Sequence, residues 1–210
     1  MRYRPTYGRS LEHVPSREEI PALLNRRGLT GRGVEVGVKV GSYSEFLLRH
    51  WRCRQLVSVD PWLEAPPDEY VDRANVSQEQ QEEFFLRAKK RLGRYGSRSE
   101  IWRLTSSEAA LRVPDGSLDF VYIDARHDRD SVLEDLRTWF PKLRPGGLIA
   151  GHDYVDGAFP QGVFGVRSAV DEFFGARGLR VYSTRGKPPA ELFPSWIVDP
   201  TETRARDGGR

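Results

Sequence analysis

Four side chains in the second half of the sequence have the types and spacing for chemistry: Asp124 and His127 in Asp124-Ala-Arg-His127, and the neighbours His152 and Asp153. Each pair follows an apolar run, Leu118–Ile123 or Gly147–Ala150, that reads as a buried strand. If those strands are adjacent in a parallel sheet, all four side chains can reach one pocket. Asp124, His152 and Asp153 combine carboxylate oxygens with an imidazole nitrogen, a set suited to a divalent cation such as Mg²⁺ or Mn²⁺. A site for Mg²⁺ alone would prefer oxygen only, so His152 tilts the choice toward a transition metal. His127 is spaced to act as general base, taking a proton from a substrate hydroxyl whose pKa the cation lowers. Plainer readings stand beside these. Asp124 can bind water or an amino group, His127 can be a helix-start residue bonded to backbone, and Asp153 can be a turn residue before Tyr154. His13 and His50 lie away from the strand ends and read as surface residues.

A second constellation precedes the first. The segment Gly33–Val38 reads as a strand and runs on to Gly41, with Gly37 and Gly41 placed for close backbone approach and a sharp turn into a helix. The next strand, Gln55–Val59, ends in Asp60, about twenty residues later, where a carboxylate can accept ribose hydroxyls. A glycine pair is weak evidence and a lone acid is often a helix cap. In this order they favour an adenosine-type ligand. No P-loop lysine pattern follows the first strand, which argues against a nucleoside triphosphate.

Strands and helices alternate around these residues. Ser16-Arg-Glu-Glu19 has the form of a capping box opening a short helix that ends near Arg27-Gly28. A helix through Phe46, Leu47 and Leu48 follows the first strand, and a charged amphipathic helix runs from Val76 to about Arg94. Ile101–Leu104 reads as a third strand, Leu118–Ile123 as a central fourth, Ser131–Leu143 as a helix and Gly147–Ala150 as a fifth strand. Residues 152–165 read as a Gly- and aromatic-rich loop, followed by a helix over Val166–Phe174 and strands near Leu179–Ser183 and Trp196–Val198. This alternation means a doubly wound parallel sheet, an α/β fold whose ligands gather beyond the carboxyl ends of the strands.

In this setting the sequence resembles class I S-adenosylmethionine-dependent methyltransferases. Glu35-Val-Gly37-Val-Lys-Val-Gly41 looks like their E-x-G-x-G-x-G motif, with Lys39 where the middle glycine usually lies. Val57–Asp60 looks like the acidic motif, Thr105–Glu108 like the adenine-side segment, Asp119–Asp124 like the fourth-strand motif, and Leu143–Gly147 like the turn before strand five. That Leu-Arg-Pro-Gly-Gly turn argues against NAD. The resemblance covers roughly residues 30 to 185. It implies a Rossmann-like, mostly parallel seven-stranded sheet with helices on both faces. It also implies S-adenosylmethionine held by Glu35, Gly37, Gly41, Asp60, Ser106 and Asp124. The strand-four and strand-five residues are similar to those of metal-dependent O-methyltransferases acting on catechols and macrolide-type sugars, in which acids at both strand ends bind the metal. The macrolide-sugar enzymes also carry a base histidine three residues after the first acid, which His127 matches. His152 departs from the commoner acid at its position.

Composition narrows the remaining choices. At 210 residues the chain suits one such domain, with 33 basic against 30 acidic residues and no basic stripe interleaved with aromatics, which disfavours nucleic acid. No apolar run is long enough for a membrane span, the arginine-rich N-terminus is no secretory signal, and the single Cys53 excludes a cysteine metal cluster; the expected setting is a reducing cytoplasm. The expected layout is an N-terminal arm over 1–15, a methyltransferase domain over 16–200 and a disordered tail over 201–210. Lid segments are expected near 61–75 and 152–165. Trp62 is read either against the adenine or acceptor or in the core, and Tyr154, Phe159 and Phe164 as an apolar acceptor wall. The expected activity is methyl transfer from S-adenosylmethionine to a hydroxyl of a small molecule. Rival readings are a metal-free N-methyltransferase, a non-catalytic donor-binding partner and an RNA methyltransferase. A homo-oligomer is left open.

Overall fold

The computed structural model describes residues 11, 14–66, 70–184 and 193–203. His13 and residues 204–210 of the expected tail lie outside them. Among the described residues a 3-10 turn (Arg17–Glu19) leads into α1 (Ile20–Arg26). Ser16 makes no side-chain capping bond, so the expected capping box is not formed there. It forms instead at α4 (Ser106–Ala110), where Thr105 and Glu108 cap one another reciprocally. The Thr-x-x-Glu signal was visible, but the helix it opens is too short to show a period.

The remaining elements are β1 (Arg32–Val36), α2 (Ser42–His50), β2 (Gln55–Val59), α3 (Gln78–Leu92), β3 (Ser99–Trp102), β4 (Leu118–Ile123), α5 (Arg129–Trp139), β5 (Leu143–Gly151), β6 (Asp156–Phe159), β7 (Gly162–Gly165), α6 (Val166–Gly175), β8 (Leu179–Ser183) and β9 (Trp196–Thr203). Seven strands form one sheet in the order β3-β2-β1-β4-β5-β9-β8, parallel from β3 through β5, with β9 antiparallel to both its neighbours. The sheet matches the expected Rossmann-like fold. Three expectations change in detail. Residues 152–165 are not an open loop, because β6 and β7 pair as an antiparallel hairpin. Thr201–Thr203 belong to β9 rather than to a tail, and the Leu143–Gly147 turn is drawn into β5.

Both faces of the sheet are covered, and residue parity decides which face each side chain joins. Val34, Val36, Val121 and Ile123 pack with Leu136, Trp139, Val170 and Phe174 of α5 and α6. Phe120 and Tyr122 pack on the opposite side with Leu23, Leu47, Leu48 and Leu92 of α1, α2 and α3. Strand order reverses between β1 and β4. The ladder continues one step past the strand ends there: Gly37 N–H donates to Val59 O at 2.9 Å, Asp124 N–H to Val36 O at 2.7 Å and His152 N–H to Ile123 O at 3.0 Å. Gly37, Asp124 and His152 thus start their loops at one level of the sheet, at its topological switch point.

Candidate active site

The loop after β1 is shaped by three residues in the left-handed region, Gly37 (φ 87°), Lys39 (φ 51°) and Gly41 (φ 72°). A Cβ on Gly37 would lie 1.9 Å from the Asp124 carbonyl oxygen, so only glycine lets the tips of β1 and β4 touch. Lys39 keeps the conformation that a glycine would adopt without strain, at a cost of about 1–2 kcal/mol. The Asp60 carboxylate holds this loop closed. Its Oδ2 accepts the N–H groups of Val38 and Lys39, each at 2.9 Å, and its Oδ1 accepts the Trp62 N–H at 2.8 Å. Burial raises the Asp60 pKa despite those three bonds. Asp60 therefore faces the Gly37 loop, as the sequence suggested, but its acceptor capacity is mostly committed to backbone. Trp62 resolves to the core: it is fully buried, its ring lies 5.0 Å from Phe85, and its indole N–H donates to Lys39 O at 2.7 Å.

Glu35 is buried beneath the loop and accepts the Ser44 hydroxyl. Burial pushes its carboxyl up to about 8, with Asp124 and Asp60 adding to the rise and Ser44 and Arg17 opposing it. Ser106 was expected at the donor, yet its hydroxyl donates to Asp135 and accepts the Trp139 indole N–H at 2.8 Å. That side chain thereby joins α4 to α5.

At the tips of β4 and β5, ligand atoms of Asp124, His152 and Asp153 lie within 4.8 Å of one another. Two carboxylates and an imidazole at this spacing are a donor set that fits a divalent cation. Burial raises the Asp124 pKa; His152 opposes the rise and Asp153 adds to it. Asp153 sits at φ 53°, and His127 and His152, both donating to it, overcome the effect of burial and hold its carboxyl below the ordinary range. His152 Nδ1 is 2.9 Å from Asp153 Oδ1.

His127 lies at this cluster, just ahead of the α5 cap formed by Asp128. Its Nε2 is 3.0 Å from Asp153 Oδ2 and its Nδ1 is 2.7 Å from Asp72 Oδ2. Burial alone would lower its pKa, but bonds to Asp153 and then Asp72 outweigh it and raise the value to about 10. Two carboxylates at its two nitrogens favour the protonated imidazole. Its ring also stacks on Phe164 at 4.4 Å. Of the expected acceptor wall, Phe159 and Phe164 meet edge to face at 5.5 Å, whereas the Tyr154 hydroxyl is turned to Asp171 at 2.7 Å. His50 is exposed beside Phe46, far along α2.

Two residues at the site escaped the sequence reading. Arg17 places Nη1 3.6 Å from Asp124 Oδ2 and lies over the Tyr43 ring at 4.9 Å. It was hidden inside an apparent helix cap. Asp72 sat in a polar stretch with no spacing signal toward His127.

Residues 34–154 match a family described as Methyltransferase domain. The chain belongs to this family. The methyltransferase domain is similar in fold to an O-methyltransferase from Bacillus cereus solved with SAH (TM-score 0.62, 18% identity, 87% of this chain and 79% of that one). It is also similar to TomG from Streptomyces achromogenes, an O-methyltransferase solved with SAM and involved in tomaymycin synthesis (TM-score 0.60, 16% identity, 90% and 79%). An rRNA methylase from Streptococcus thermophilus aligns with a TM-score of 0.55 at 12% identity, over 88% of this chain and 97% of that one. In sequence, the methyltransferase domain is 33% identical over 72 residues to the Sinorhizobium fredii protein y4gI, a match covering 34% of this chain and 8% of that relative. Among the described residues no helix is long and apolar enough to cross a membrane.

Proposed function

We propose that this methyltransferase moves a methyl group from S-adenosylmethionine to a hydroxyl of a small molecule such as a catechol or a natural-product sugar, assisted by a divalent cation, in the cytoplasm. The observation that carries the reading is the meeting of Asp124, His152 and Asp153 at the strand tips, next to the Gly37 loop. Gly37, Gly41 and the backbone near Ser106 would hold the donor, with Glu35 supporting the loop from below and Asp60 shared between loop and ribose. The donor supplies an electrophilic methyl carbon. The cation, held by Asp124, His152 and Asp153, would lower the acceptor's pKa.

The chemistry is an in-line displacement. The acceptor oxygen bonds to the methyl carbon as the carbon–sulfur bond breaks, and the hydroxyl proton passes to Nε2 of a neutral His127. Much of the acceleration comes from alignment of the three atoms. With Nδ1 facing Asp72 and Nε2 facing Asp153 both nitrogens donate, so His127 would serve as base only after Nε2 releases its proton, which an Asp153 turned to the cation would favour.

A screen of catechols and hydroxylated sugars with S-adenosylmethionine, run with Mg²⁺, Mn²⁺ or a strong chelator, tests the reading. Methyl ethers should form with one of the metals and fall to background with chelator, and Asp124→Asn and Asp153→Asn should bind Mn²⁺ more weakly by calorimetry. Inertness of every hydroxyl acceptor, or turnover that survives the chelator, would sink it. The latter result combined with amine methylation would favour the N-methyltransferase.

A further inference from the structure

His127 is held from three directions, and only one partner belongs to the cluster described above. Nε2 faces Asp153, the ring lies on Phe164 with planes 11° apart, and Nδ1 bonds to Asp72, whose side chain is only 4% exposed. Asp72 comes from outside the sheet, in the segment between β2 and α3. Its position is fixed independently of the histidine: Oδ1 accepts the Ala74 N–H at 2.7 Å, and its backbone bridges to Gly162 at the start of β7. Next to it, Arg73 N–H donates to Gln161 O at 2.8 Å. The hairpin is in turn tied to the histidine's own backbone, since Gly165 N–H donates to His127 O at 2.9 Å. The cavity bounded by Asp124, His127, His152, Val166 and Trp196 measures about 10 Å³, roughly the room of one water.

A carboxylate this buried is expensive unless a specific donor satisfies it, and His127 Nδ1–H is that donor. The second torsion of a histidine is broad and nearly two-fold, so a ring held at one nitrogen alone can turn over, placing Cδ2 and Cε1 where Nδ1 and Nε2 had been. A carboxylate fixed on the Nδ1 side removes that freedom. We propose that Asp72 is a positioning residue: it holds the imidazole of His127 by Nδ1 so that Nε2 is the nitrogen presented to the Asp124–His152–Asp153 cluster. Its catalytic meaning rests on the reading of His127 as the base, while the positioning itself does not.

The experiment is proton NMR of the full chain with ¹⁵N-labelled histidine, with the His127 ring signals assigned by their loss in His127→Gln. A ring N–H bonded to a buried carboxylate resonates far downfield and exchanges slowly. Wild type should show this signal for His127 Nδ1–H; Asp72→Ala should lose it, and Asp72→Asn, which keeps the shape but offers a neutral acceptor, should move it upfield. Binding of S-adenosylhomocysteine should stay within about twofold in both variants, while kcat on 3,4-dihydroxybenzoate with Mg²⁺ falls about 10- to 100-fold and its KM holds. Absence of the signal in wild type, its persistence in Asp72→Ala or an unmoved signal in Asp72→Asn overturns the proposal. So does a parallel loss of donor affinity and kcat, the mark of a merely structural contact. If wild type methylates no hydroxyl, the function proposed above fails while the ring signals still decide the positioning.

Discussion

Replacing Glu35 by glutamine should change how stability depends on pH, because this carboxyl is protonated in the folded protein across a range where the unfolded chain has released its proton. Burial sets the folded pKa at about 8 against an ordinary 4.5. Between those values the native state binds one proton more than the unfolded state, so this group makes stability fall as pH rises. Each unit is worth about 1.36 kcal/mol, which gives about 3 kcal/mol lost by pH 7 and about 5 kcal/mol once the folded carboxyl itself ionises near 8. An amide has nearly the same shape, its oxygen can still accept the Ser44 hydroxyl, and it does not titrate. Urea unfolding of both proteins at closely spaced pH values from about 4.5 to 8.5, with the slope in urea held common, isolates the difference. The variant should gain on wild type steadily up to about pH 8 and then run parallel. Asp135, pushed up to about 7 mainly by burial, acts in the same direction but is present in both proteins and cancels. A difference that does not change with pH, or a variant that loses ground as pH rises, would show that Glu35 is ionised in the fold and refute the reasoning.

The loop above Glu35 yields two further expectations of opposite sign. Gly37→Ala places a Cβ at φ 87° and 1.9 Å from the Asp124 carbonyl, so strain and overlap together should destabilise the protein by more than about 3 kcal/mol in chemical denaturation. A loss under about 1 kcal/mol would mean the two strand tips are not in contact. Lys39→Gly relieves left-handed strain of about 1–2 kcal/mol at φ 51° and loses part of that to backbone entropy. A net gain below about 1 kcal/mol, a rise in Tm of at most about 2–4 °C, is expected, and a fall in Tm would contradict the loop conformation.

Much of the architecture could be read from local pattern. Parity along Leu118–Ile123 sends Phe120 and Tyr122 to one face and Val121 and Ile123 to the other, and glycines and acids after apolar runs mark the strand ends, where Gly37, Asp60, Asp124, His152 and Asp153 were expected and are found. Those signals are short-range, so a linear chain displays them. Choices made by the path of the chain were not legible. Ser106 bonds to Asp135 on α5, and Trp62 packs in the core against Phe85 of α3, because neighbouring helices offer partners that no spacing encodes. The hairpin over 156–165 depends on pairing among glycine- and aromatic-rich residues without a clear alternation. Most telling is His127. Its position after strand four was evident, but its charge is decided by Asp72, 55 residues earlier, and by Asp153 on the adjacent strand tip. Local pattern sets which chemical groups reach the carboxyl edge of the sheet. Their protonation and their partners arise from the packed fold, since burial and charge pairing act through space rather than along the chain.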